Sequence, residues 1–264
     1  MTASASRRRM PAIFFGHGSP GNVLEDNYVT RTWERLGKEI PRPKGIICIS
    51  AHWLTRGVKV MANEYPRTIH DFGGFPEKMF RMRYPAAGDP KLAERVQKRL
   101  ASAGAELDSS WGYDHGSWCV LLKAYPKADI PLIQVSIDHR QPPEFHYKIG
   151  QKLAAFRDEG VLVMGSGNIV HNLGEMDWRL QNGAYEWAAN FGDYIRESIV
   201  KDEPQNLIDY ESQGLNARLA VPSPDHYLPL LYVMGVRQPD EPVRFETPMV
   251  EYGSLDMTTV VLGG

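Results

Sequence analysis

The sequence predicts one α/β domain with a central, mostly parallel sheet and helices on both faces. Three observations carry that expectation. Short β-branched runs alternate with longer amphipathic segments along the whole chain. The runs are apolar throughout, as strands covered on both faces are. The segments between them are long enough for the helical crossovers that join parallel strands.

In chain order, strands are expected at 12–15, 45–50, 58–62, 131–137, 161–164 and 244–250, each short, apolar and flanked by turn residues. Helices are expected between them at 26–40, 90–102, 144–157 and 182–200, with a shorter one at 225–234. The boundaries of the helix at 90–102 are signalled locally. Asp89 is placed to cap it, Pro90 suits its first turn, and Gly104 closes it. The carboxy-terminal strand has no crossover that fixes its direction and is open to either. The Pro- and Gly-rich stretches 41–45 and 238–242 read as surface turns rather than linkers, and α/β domains often run to about 250 residues unbroken. A domain at 11–264 is therefore expected, with residues 1–10 as a disordered tail or a start-site extension ahead of Met10.

Composition removes several function classes. Thirty basic against 32 acidic side chains leave a net charge of −2, and only the run Arg7, Arg8, Arg9 is concentrated, so no nucleic-acid partner is expected. The longest apolar stretches, such as 228–234, fall well short of the roughly 20 residues that span a bilayer, so no membrane helix is expected. The apolar segment behind the basic start is too short for a signal peptide. Two cysteines, Cys48 and Cys119, build neither a disulfide framework nor a four-cysteine zinc site; they read as small buried hydrophobes in a protein of the reducing cytoplasm. No phosphate-binding loop occurs. Gly165-Ser166-Gly167 lacks the third glycine of a dinucleotide fingerprint and the first glycine of a nucleophile elbow, and no HExxH helix is present.

The eight histidines are more informative. His17, His52 and His171 each fall just past the carboxyl end of an expected strand, the edge where open parallel sheets bind ligands. His226 stands at an expected helix start. Imidazoles gathered from such distant positions make a plausible metal shell for Zn, Fe or Cu. His115, in Tyr113-Asp114-His115-Gly116, reads from spacing alone as a loop residue bonded to Asp114. The stretch His70-Asp71-Phe72-Gly73-Gly74-Phe75-Pro76 fits either an aromatic substrate loop or an ordinary turn with buried rings. His139 and His146 read as structural or exposed.

Six segments in unbroken order, Gly16-His17-Gly18-Ser19-Pro20, Ser50-Ala51-His52-Trp53, 70–76, Tyr113-Asp114-His115-Gly116, 165–172 and 225–231, together resemble the 4,5-DOPA extradiol dioxygenases. These are class III ring-cleaving enzymes of the LigB-like superfamily, and the resemblance runs from about residue 11 to the end. It implies a single α/β domain with non-haem Fe(II) at one sheet edge and oxidative opening of a catechol by O2, beside its two hydroxyls. It implies His17, His52 and His226 as metal ligands. His171 would be an acid/base and a further ligand, and His115 a second catalytic histidine. Asp114 is expected to orient His115 and Asp225 to support His226. The unperturbed pKa of histidine, near 6.5, suits His171 to take a catechol proton. His70, Phe72, Phe75, Trp53 and Trp118 are expected around the substrate ring.

An all-histidine set departs from the protocatechuate branch, which adds a carboxylate, and Zn(II) would occupy it readily while supplying no redox chemistry. Two alternatives follow. One is a zinc-dependent hydrolase on the same scaffold, which needs a carboxylate base near the ion. The other is a non-catalytic binding module like the Memo proteins.

Overall fold

A computed structural model describes residues 9–264. Six strands form the central sheet: β1 (Ala12–Gly16), β2 (Gly45–Ser50), β3 (Leu132–Gln134), β4 (Val161–Gly167), β5 (Val243–Glu246) and β6 (Thr259–Leu262). Their spatial order is β3-β2-β4-β1-β6-β5. The first four run parallel; β6 pairs antiparallel to β1, and β5 antiparallel to β6.

Alternation along the strands sorts side chains to two apolar layers. Ala12 and Phe14 of β1 join one, with Ile47, Ile49 and Val163; Ile13 and Phe15 join the other, with Ile46, Cys48 and Met164. The first layer is covered by α2 (Pro90–Arg99), α4 (Pro143–Asp158), α5 (Glu186–Val200) and α6 (Leu228–Gly235). The second is covered by α1 (Tyr28–Glu39) and α3 (His115–Ala124). Covering both faces excludes water from the strands, which is why they carry no polar alternation.

Several expected elements are redrawn. The segment expected as a strand at 58–62 is Lys59–Met61, which pairs with Glu106–Asp108 in a separate ribbon. The run expected at 131–137 breaks after Gln134; Ile137–Asp138 leaves the sheet to pair with Leu54–Thr55. The run at 244–250 splits into β5 and Val250–Glu251. Helix α3 was not expected, because it is buried nearly all round and so has no polar stripe to give a 3.6-residue rhythm. Its one local signal is Asp114, whose side chain caps it by accepting from the Ser117 N–H.

The expected tail lies outside the described residues up to position 8, but its last two residues are anchored. Met10 is buried, donates its N–H to the Arg157 carbonyl at 3.0 Å and accepts the Arg157 guanidinium Nε–H at 2.8 Å, and Arg9 pairs with Asp158 at 2.6 Å. Among the described residues, no helix is long and apolar enough to cross a membrane. Both cysteines are free and buried, as expected.

His146 on α4 is structural. It is fully buried, its Nδ1 lies 3.0 Å from the Tyr232 hydroxyl, and burial lowers its pKa to about 4. The unfolded chain therefore takes up a proton near pH 6.5 that the folded chain refuses until about pH 4. Stability is full above that window and falls as the pH drops through it. Urea unfolding at about pH 7.5 and about pH 5 should show His146→Gln losing roughly 2 kcal/mol less than the parent over that interval. Equal losses would contradict this assignment.

Candidate metal centre

Strands β2, β4 and β1 are neighbours and parallel, so the chain leaves all three at the same edge of the sheet. His17 follows β1 directly, His52 stands two residues past β2, and His171 four past β4. His226 reaches the same edge from the 3-10 turn Pro224–His226 ahead of α6, where its carbonyl accepts the Asn168 N–H at 2.9 Å. His115 is the first residue of α3.

The five rings share one rim. His17, His52 and His115 offer nitrogen atoms all within 4.8 Å of one another, a three-histidine cluster suited to a metal ion. His115 thus stands inside a group from which the sequence reading kept it apart. The His226 ring centre lies 5.1 Å from that of His17 and 5.0 Å from that of His52, and His171 stacks flat on His226 at 3.5 Å.

Polar neighbours orient these rings. Ser166 Oγ donates to the Gly116 carbonyl at 2.5 Å, so it accepts from His17 Nδ1 at 2.9 Å; this assigns the proton to Nδ1 and leaves Nε2 a free lone pair. That Nε2 stands 3.2 Å from His52 Nε2, a spacing that two imidazoles on one ion also adopt. His226 Nδ1 donates to Asp225 Oδ2 at 2.5 Å, the carboxylate–histidine arrangement common behind metal ligands, and Asp225 was expected there. The partner of His115 is not Asp114. Asp71 accepts the His115 backbone N–H at 2.9 Å through Oδ1 and holds its ring Nδ1 at 3.0 Å from Oδ2. Asp114 is buried beneath, taking the Ser50 hydroxyl at 2.6 Å and capping α3.

Burial sets the charge state. It pushes the pKa of His17 and His52 well below the usual value, with the neighbouring imidazoles adding to it, so both are neutral donors. Burial and then His226 lower the pKa of His171 to about 3, so its ring is neutral as well. Burial works against ionisation of Asp225, but the hydrogen bond and charge of His226, with bonds from Ser223 and the backbone, together outweigh it and hold the carboxyl at about 2.

A cavity of about 520 Å³ opens over the histidines. Phe72 and Phe75 line it, as expected, with Phe72 edge-on to His115 at 5.7 Å. Three expected ring contacts do not line it. Trp53 is buried and stacks on Trp111 at 5.5 Å; Trp118 is buried and donates its indole N–H to Ile69 O at 2.9 Å; His70 Nε2 lies 3.0 Å from Met82 O. The last two brace the loop that carries Phe72. Sequence reasoning missed Asp71, although it sits inside the aromatic segment, and missed Trp178 and Tyr252, which also line the cavity and lie in stretches without a sequence signature.

Close backbone approach makes one glycine structural. A β-carbon at Gly167 would stand 2.1 Å from the His226 carbonyl oxygen. Gly167→Ala should therefore lower the unfolding free energy by about 1–3 kcal/mol and weaken metal binding, as read by urea titration and metal analysis. Unchanged stability together with full metal content would sink this reading.

The comparisons with known proteins agree with this geometry. The family model for the catalytic LigB subunit of aromatic ring-opening dioxygenase matches residues 16–263. The chain is 48% identical to the 4,5-DOPA dioxygenase extradiol of Escherichia coli (strain K12), covering 98% of this chain and 96% of that one. It is 36% identical to the 4,5-DOPA dioxygenase extradiol of Portulaca grandiflora, covering 85% of each. A crystal structure of an uncharacterized protein from Escherichia coli K12 superimposes with a TM-score of 0.84 at 45% identity, covering 97% of this chain and all of that one. With a match over nearly its whole length, the chain belongs to the family of LigB catalytic subunits of aromatic ring-opening dioxygenases.

Proposed function

We propose that this extradiol dioxygenase opens a catechol beside its two hydroxyls, that its working metal is Fe(II), and that His17, His52 and His226 hold the ion. One observation carries the ligand choice. An imidazole bonded end-on at about 2.1 Å has its ring centre roughly 3.2 Å from the ion, so two such rings on one ion lie about 4.6–5.3 Å apart. The three pairs among His17, His52 and His226 measure 5.1, 5.1 and 5.0 Å. His115 is 5.8 Å from His17 and only 3.8 Å from His52, distances that suit a neighbour of the ion better than a ligand.

Bound Fe(II) would supply the redox path between catecholate and O2 that Zn(II), having no accessible redox change, lacks. The protein's own groups do the rest. Ser166, Asp71 and Asp225 fix ring orientation in advance, so no reorganisation is needed when the substrate arrives. His171, stacked on His226 at 3.5 Å, and His115, 3.8 Å from His52, are the rim histidines left to accept a catechol proton and to return one as the ring opens. Phe72 and Phe75 close one side of the cavity and exclude water. The overall change balances without a further reductant: one ring C–C bond breaks and both atoms of O2 enter the product.

DOPA, after which several relatives are named, is one candidate catechol. The reduced, buried cysteines support the cytoplasm as the working compartment. The hydrolase alternative finds no support: the two nearest carboxylates, Asp71 and Asp225, are both committed to histidine rings. The family match argues against the purely binding module.

Metal-free protein loaded anaerobically with Fe(II) should take up O2 and form a yellow product on addition of a catechol, whereas Zn(II)-loaded protein should not. Equal turnover with Zn(II) would refute the redox assignment. Separately, His226→Ala should bind metal at least about tenfold more weakly, while His115→Ala should keep its metal and lose roughly 100-fold in kcat. The opposite pattern would make His115 the third ligand.

A further inference from the structure

Asp71 stands where the aromatic loop meets the histidine rim. It belongs to the stretch 70–76 that brings Phe72 and Phe75 to the cavity. The root of that stretch is fixed: the Ile69 N–H donates to Tyr113 O at 2.7 Å, and Ile69 O accepts the Trp118 indole N–H at 2.9 Å. The Asp71 carboxylate is therefore delivered to the start of α3 in a set position. There Oδ1 accepts the His115 backbone N–H at 2.9 Å, and Oδ2 lies 3.0 Å from His115 Nδ1, against 3.9 Å from His52 Nδ1.

The two oxygens do different work on His115. The bond to the backbone decides which oxygen is left for the ring. An ionised carboxylate only accepts, so a neutral imidazole beside it is lowest in energy with its proton on Nδ1. The contact is close but lies off the ring N–H direction, and such contacts commonly straighten only with substrate in place. The ring lines the cavity, and with Nδ1 turned to Asp71 it is Nε2, on the far side of the imidazole, that is left for a bound hydroxyl. His171 has no such partner, because Asp225, whose charge reaches the His171 ring, is itself bonded to His226.

We infer that Asp71 is the positioning residue that holds His115 in its Nδ1–H form, and that His115 is thereby the rim base that accepts the first catechol proton. The hydroxyl O–H bond breaks, an Nε2–H bond forms, and the imidazolium so made carries its charge beside the Asp71 carboxylate. This rests on the reading of the cavity as a catechol site and gives the proton step to one of its two candidate histidines.

Asp71→Asn separates the roles, because its carbonyl oxygen goes on accepting the His115 N–H while its NH2 replaces Oδ2 and only donates to Nδ1. In Zn(II)-loaded protein, nitrogen-15 NMR of the histidine rings should find His115 protonated at Nδ1 in the parent and at Nε2 in Asp71→Asn, the signals being assigned by their loss in His115→Ala. In iron-loaded protein, Asp71→Asn should keep its metal and hold KM for catechol within about twofold while kcat falls roughly 100-fold. Asp71→Asn combined with His115→Ala should be no slower than His115→Ala alone. A parent ring protonated at Nε2, a tautomer unchanged by Asp71→Asn, or losses that multiply in the double variant would overturn the assignment. Metal loss in Asp71→Asn would overturn it too and give the carboxylate to His52. The expected tautomers without ring opening of any catechol would support the hold of Asp71 on His115 and overturn the reaction assignment instead.

Discussion

Three adjacent strands pointing the same way are the constraint on which the site depends. Because β2, β4 and β1 run parallel, loops that are far apart in sequence all emerge at one edge, and each delivers a histidine there. Reversing any one of them would send its imidazole to the opposite end of the sheet. The apolar layers on both faces lock that arrangement, so the position of the histidines is set by the core rather than by the loops that carry them.

The second feature is how little freedom the rings retain. Ser166 reads the His17 tautomer, Asp225 that of His226, and Asp71 grips both the backbone and the ring of His115. Backbone contact finishes the placement: Gly167 lies against His226, and a β-carbon at Gly116 would stand 2.5 Å from Ser50 Oγ. Burial then keeps His17 and His52 neutral, which is the form that binds a cation. Orientation and charge state are thus both prepared by the protein alone.

Much of this was legible in the sequence because it depends on periodicity and on strand ends. Strands β1, β2 and β4 announce themselves as apolar runs, and the histidines just beyond them fall where an α/β sheet binds its ligand. What was not legible depends on contacts between remote residues. Nothing local distinguishes Asp71 from Asp114 as the partner of His115; only the packing of the 70–76 loop against α3 does. Trp53 and Trp118 looked like ring-stacking residues by type and position, yet both are consumed by the core. Strand β6, short and close to the chain end, has no crossover to announce it, and it pairs antiparallel with β1. The lowered pKa of His171 likewise follows from its burial against His226, which sequence cannot foresee.

The account stands or falls on which imidazoles meet at the ion. Crystals of the iron-loaded protein, with anomalous diffraction collected at the iron edge, would locate it directly. The account predicts a single anomalous peak about 2.1 Å from nitrogen atoms of His17, His52 and His226, with His115 outside bonding distance. A peak bonded to His115 and detached from His226 would contradict it.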